Sequence, residues 1–126
     1  MSVLVDTSIW IEYFRSGNHS EKLDFLIDKN LIVINDLILA ELVPSLKVHN
    51  QSKIVKLLYK INKIGLSINW IQIIDFQFKC LKNGLNGIGI PDLILAQNAK
   101  QNRCDIYSFD NHFNLMKDIL GLQLLD

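Results

Sequence analysis

Short, wholly apolar runs alternate along the chain with longer segments whose apolar positions recur at helical spacing. Val3-Leu4-Val5 ends at Asp6-Thr7-Ser8 and predicts a buried strand. Its exit turn is expected to cap a helix, because Thr and Ser side chains accept from the first free N–H groups. Ile9, Trp10, Tyr13 and Phe14 then keep helical spacing as far as Gly17. A second helix is expected from His19 over residues 19–29, followed by a strand over 31–34. Asp36 is placed to cap the next helix, which carries Glu41 and is disturbed at Pro44. Residues 52–64 are sharply amphipathic, with Ile54, Leu57, Leu58, Ile61 and Ile64 on one face and Lys53, Lys56, Lys60 and Lys63 on the other. A short strand over 66–70 and a helix over 71–83 lead to a loop punctuated by Gly84, Gly87 and Gly89. Pro91 suits the opening of a helix. A strand over 105–108, a helix over 111–120 and a last edge strand over 122–125 complete the reading.

Strands alternating with helices predict an α/β domain, with a mostly parallel central sheet of four to five strands covered on both faces. The 126 residues, without repeat or linker, are expected to form one domain over 1–126. In such sheets ligands bind beyond the carboxyl ends of the strands, so residues that follow strands or open helices carry the candidate chemistry.

Composition narrows the function classes. Hydrophobic residues make up 49% and charged residues 21%, a globular balance. Thirteen Lys and Arg against thirteen Asp and Glu exclude a polybasic nucleic-acid binder, although a local basic patch remains compatible. The longest apolar stretches, 31–34 and 37–40, fall far short of the ~20 residues of a membrane span. With no signal-peptide core and only Cys80 and Cys104, a reduced, cytoplasmic protein is expected. The glycines at 84, 87 and 89 make no dinucleotide fingerprint, since Asp92 stands where the third Gly belongs. No P-loop or nucleophile elbow is present, and His19, His49 and His112 show no ligand or triad spacing.

Four acids stand out. Asp6 follows an apolar strand, Glu41 sits within Leu37-Ile38-Leu39-Ala40-Glu41-Leu42-Val43, Asp92 opens an apolar helix, and Asp110 follows a strand. Asp6 and Asp110 also suit helix caps, and Asp92 is favoured by the helix dipole whatever its function. A buried carboxylate needs a cation, hydrogen bonds or a metal. Hard oxygen donors from several elements, with no His or Cys cluster, point to Mg²⁺ or Mn²⁺.

These residues resemble a known family. Leu4-Val5-Asp6-Thr7-Ser8 before a helix is similar to the opening of a PIN domain, and Glu41 in Leu39-Ala40-Glu41-Leu42 to its helical acid. Asp92-Leu93-Ile94-Leu95-Ala96-Gln97-Asn98-Ala99 resembles the third acidic motif, and Ser108-Phe109-Asp110-Asn111-His112-Phe113 the last. The order and spacing run along essentially the whole chain, and its length resembles VapC-type ribonuclease toxins. Leu95 and Gln97 depart from the small residues usual there, and Pro91 directly precedes Asp92. The resemblance implies a PIN-like three-layer fold and an endoribonuclease leaving a 5′-phosphate and a 3′-hydroxyl. It implies that Asp6, Glu41, Asp92 and Asp110 hold one or two Mg²⁺ or Mn²⁺ ions, supported by Thr7, Ser8 and Ser108. It further implies a cognate antitoxin and a homodimer.

No acid lies between Leu42 and Ile74, whereas Lys47, Lys53, Lys56, Lys60 and Lys63 all do, so a neutral chain can present a positive helix to RNA. A solvated helix face is the alternative for this stripe. Trp10, Tyr13 and Phe14 fit core packing better than a groove for an antitoxin. Other functions compatible with the sequence are an RNA-processing nuclease outside a toxin pair, a catalytically silent PIN-like binding module and a receiver-like signalling domain. The last lacks the paired acids and late Lys it requires.

Overall fold

The computed structural model describes residues 1–17 and 20–125. Strands β1 (Val3–Val5), β2 (Ile32–Ile34), β3 (Asn62–Lys63) and β4 (Asp105–Tyr107) form one sheet in the order β3-β2-β1-β4. Every neighbouring pair is parallel, with Leu4 opposite Val33 on one side and Ile106 on the other. The helices among the described residues are α1 (Thr7–Arg15), α2 (Ser20–Asp28), α3 (Asp36–Val48), α4 (Ser52–Tyr59), α5 (Trp70–Lys82), α6 (Ile90–Gln101) and α7 (Asn111–Leu120). α3 packs against α1 and α4, and α5, α6 and α7 pack with one another. This is the predicted PIN-like α/β architecture. None of these helices is long and apolar enough to cross a membrane.

β1 is wholly buried at the centre of the sheet, as its unbroken apolar run requires. The strand order reverses direction between β1 and β4, which places the switch point of the sheet where Asp6 leaves one strand and Ser108 the other. Asp6 N–H donates to the Tyr107 carbonyl at 2.9 Å and ties the two exits together.

α6 is buried almost all round, so its two central polar side chains need internal partners. Asn98 Oδ1 accepts from Asn35 Nδ2 and its Nδ2 donates to the Gly65 carbonyl, both at 2.9 Å. Gln97 accepts from Asn69 N–H at 3.1 Å and donates to Asn69 O at 3.0 Å and to Gln72 Oε1 at 2.7 Å. Gln97 thereby fills with hydrogen bonds a position where the resemblance led to a small residue. Gly84 and Gly121 end α5 and α7 with φ of 80° and 71°, conformations in which any other residue is strained.

Several expectations are corrected. Thr7 and Ser8 do not cap α1; their hydroxyls donate to Asp6 instead. Asn35, not Asp36, caps α3, its side chain accepting from Ile38 N–H at 2.9 Å. α3 runs unbroken through Pro44, because the carbonyl it leaves without a donor belongs to Ala40, which is exposed to water. α4 stops at Tyr59, and the following residues form β3, with Ile64 N–H donating to Ile34 O at 2.8 Å. Residues 66–69 are not a strand; Asn69 caps α5. The expected strand at 122–125 contributes one parallel bridge, Ile106 to Leu124. His19, at the start of the second expected helix, lies outside the described residues.

Replacing Asn98 by Ala strands the buried Asn35 amide and the Gly65 carbonyl, and should cost about 1–3 kcal/mol of stability. Urea unfolding followed by circular dichroism measures this loss.

Candidate metal centre

Asp6 is the only one of the four acids that is fully buried, and it has three hydroxyl donors. Ser108 Oγ donates to its Oδ2 at 2.7 Å, Ser8 Oγ to the same oxygen at 3.0 Å, and Thr7 Oγ1 to Oδ1 at 3.4 Å. These contacts reach beyond Asp6. Ser8 Oγ accepts from Phe109 N–H at 3.0 Å, and Ser108 Oγ from Asp110 N–H at 2.9 Å. The hydroxyls therefore fix the loop after β4 against the start of α1, and Asp110 takes its place as the cap of α7 by accepting from His112 N–H at 2.9 Å.

Asp92 sits in the first turn of α6, half-buried. Its Oδ2 lies 3.0 Å from His112 Nδ1, which is also 3.6 Å from Asp110 Oδ1. Ligand atoms of Asp92, Asp110 and His112 all lie within 4.8 Å of one another. Glu41 comes from α3. Its side chain is exposed, not buried as its apolar neighbours in sequence imply. Its carboxyl is nevertheless held above its ordinary pKa by partial desolvation and then by the charges of Asp6 and Asp92. Asp92 is likewise raised, first by burial and also by Asp110 and Asp6, with the His112 hydrogen bond opposing. Asp6 and Asp92 thus act on Glu41, and Asp110 and Asp6 act on Asp92. Among the described residues none of them pairs with a lysine or arginine.

This donor set suits a hard divalent cation: Asp92, Asp110 and His112 come together, Asp6 and Glu41 lie near enough to act on Asp92 or with it, and among the described residues the imidazole is the cationic partner that pairs with these acids. Beside Glu41 opens a cavity of about 540 Å³ between α1, α3 and α4, with apolar walls from Ile11, Phe14, Leu42, Leu46 and Ile54. Phe14 lines it, whereas Trp10 is buried and stacks on Phe14 with ring centroids 5.7 Å apart.

The PIN domain model matches residues 3–119. The chain belongs to the PIN domain family. No curated protein matches it in sequence. Among solved structures, the PIN domain is similar to VapBC2 from Rickettsia felis bound to a DNA fragment from its promoter. That match has a TM-score of 0.79 at 25% identity, over 99% of this chain and 98% of that one. DNA-bound VapBC from Salmonella typhimurium aligns with a TM-score of 0.77 at 14% identity, over 100% and 98% of the two chains. VapBC-1 from nontypeable Haemophilus influenzae gives 0.73 at 20% identity, over 100% and 98%. The last two show the shared fold.

Sequence reasoning missed His112 in this PIN domain. Its partner Asp92 lies 20 residues away on another helix, so no local spacing announces the pair. The one available signal was its position two residues after an acid already singled out.

The hydrogen bond to Asp92, and then the Asp110 and Asp92 charges, raise the His112 pKa. In metal-free protein the stabilisation from protonated His112 is therefore complete below about pH 6.5 and lost as pH rises through the raised value. The stability advantage of wild type over His112→Gln should shrink as pH rises above about 6.5, as thermal melts in EDTA will read.

Proposed function

We propose that this PIN domain is a Mg²⁺- or Mn²⁺-dependent endoribonuclease and the toxin of a toxin–antitoxin pair. The observation that carries the reading is the grouping of Asp92 and Asp110 around His112, with Asp6 and Glu41 close enough to act on the same acids and, among the described residues, no lysine or arginine paired with any of the four. Those four residues would hold the ion, with His112 beside Asp92 and Asp110. When bound, such an ion activates water for in-line attack on a phosphodiester and offsets charge on the leaving oxygen. Ser108, Ser8 and Thr7 hold the Asp6 carboxylate in one orientation by their hydrogen bonds. Hydrolysis leaves a 5′-phosphate and a 3′-hydroxyl.

The lysine helix supports RNA as the substrate. Lys53, Lys56 and Lys60 are exposed on or at the end of α4, whereas Lys63 pairs with Asp36 at 3.1 Å. The apolar cavity ending at Glu41 supports an antitoxin segment bound beside the site, and the VapBC likenesses point the same way. A homodimer in the cytoplasm completes the reading.

EDTA should abolish RNA cleavage, and Mn²⁺ should restore it and raise the melting temperature by mass action. Asp92→Asn keeps the shape and removes one charge from a site where burial and like charges disfavour it. It should lose cleavage and the Mn²⁺ gain, yet melt no lower than wild type without metal. Ser108→Ala, which loosens Asp6, should lower cleavage about 10–100-fold. An Asp92→Asn protein that is less stable without metal and keeps the full Mn²⁺ gain would show that Asp92 serves its helix and not an ion.

Replacing Lys53, Lys56 and Lys60 by Gln should weaken RNA binding and flatten its salt dependence, because each lost phosphate contact releases fewer counterions. Fluorescence anisotropy at several salt concentrations gives both quantities.

A further inference from the structure

Phe109 stands between two residues on which the acidic group depends. Ser108 Oγ donates to Asp6, and Asp110 comes together with Asp92 and His112. The Phe109 side chain shares neither task. The loop asks only for its backbone N–H, which donates to Ser8 Oγ at 3.0 Å. The ring is 49% exposed, just beyond the carboxyl end of β4. Single apolar side chains on a surface are ordinary. This one is set apart by its place: both chain neighbours are fixed by hydrogen bonds, and its Cα lies about 3.8 Å from each of theirs.

Tyr107 steadies the ring. The two rings meet edge-on, with centroids 6.2 Å apart and planes at 72°. Tyr107 is itself buried, so this anchor belongs to the core. Lys22 of α2 sets its ammonium 5.3 Å from the centroid of the same Tyr107 ring. Lys22 is exposed and, among the described residues, pairs with no carboxylate. A cation and an exposed aromatic ring thus flank one buried ring at the rim of the acids. Their chemistry selects a ligand. Carboxylates repel a polyanionic strand, so the nucleotides around a reacting phosphate need contacts that this repulsion does not weaken. Stacking of an unpaired base on an aromatic ring is such a contact. An apolar protein segment could cover the ring but gains nothing from the ammonium beside it, whereas a nucleotide carries a phosphate next to its base.

We propose that Phe109 is a stacking platform for one unpaired base of the RNA strand beside the scissile phosphodiester, and that Lys22 holds a phosphate next to that base. The proposal rests on the RNA-cleaving reading above and adds to it the residues that receive a nucleotide.

Fluorescence anisotropy of a labelled single-stranded RNA, with every protein carrying Asp92→Asn so that the strand stays intact, reads the contact. Phe109→Ala should weaken binding about 5–150-fold and Phe109→Leu nearly as much, whereas Phe109→Tyr should bind as the parent does. Removing one base at a time from the RNA locates the stacked nucleotide. At one position the missing base should cost the parent that same factor and cost Phe109→Ala almost nothing, a coupling that a merely structural ring does not produce. Lys22→Gln should lower the slope of log affinity against log salt by about 0.7. Parent affinity retained in Phe109→Ala or in Phe109→Leu overturns the stacking and leaves the ring to the fold or to a protein partner. An unchanged salt slope overturns the role of Lys22. Failure of the RNA reading itself looks different: the parent then binds no RNA and wild type cleaves none, and the proposal falls with it.

Discussion

The carboxyl end of the sheet is organised around one buried carboxylate. Asp6 lies where two parallel strands release their chains, and removing its charge from water costs several kcal/mol unless that charge is solvated from within. Three hydroxyls take over part of the role of water. Because Ser8 and Ser108 also accept from backbone N–H groups of the loop after β4, the same atoms that solvate Asp6 set the path of the chain into α7. The positions of Asp110 and His112 follow from that path. Once Asp6 is placed, the neighbouring elements have little freedom.

The cost of this arrangement is electrostatic. Two carboxylates about 4 Å apart repel by about 4 kcal/mol at an effective dielectric of 20, before relaxation and screening. The raised pKa values of Glu41 and Asp92 record that repulsion together with desolvation. His112 relieves part of it on one side of the cluster, and hydroxyls cannot cancel charge. The fold tolerates the strain because α6 is locked elsewhere. Gln97 and Asn98 clamp that helix to Asn69, Gly65 and Asn35, several residues beyond Asp92. Rigidity thus comes from neutral amides in the core and not from pairing of the acids.

Much of this was legible in the residues. β1, β4, α6 and α7 declared themselves because a buried parallel strand must be apolar throughout and because Pro91 and Asp110 mark helix starts. What escaped was decided by tertiary partners. Ile61 and Ile64 continue the helical period of α4, yet the free carbonyl edge of β2 captures that segment as a strand, and both residues of β3 are exposed and carry no apolar signal. Glu41 has apolar neighbours in sequence but an exposed side chain, since a helix turns those neighbours toward the core and leaves it at the rim. The order of the acidic motifs led to Asp6, Asp92 and Asp110, whereas the imidazole among them became visible only when α6 and α7 were seen together.

The strand order also bears on how the molecule comes into being. The bond from Ser108 to Asp6 spans 102 residues. During synthesis Asp6 leaves the ribosome 102 residues before the hydroxyl that solvates it. A nascent chain can form β1, β2 and the helices between them, but its Asp6 lacks Ser108 and its site lacks Asp110 and His112. Contacts of such long sequence separation form late and slow folding. A centre built from these residues therefore assembles only after β4 and the start of α7 have been made.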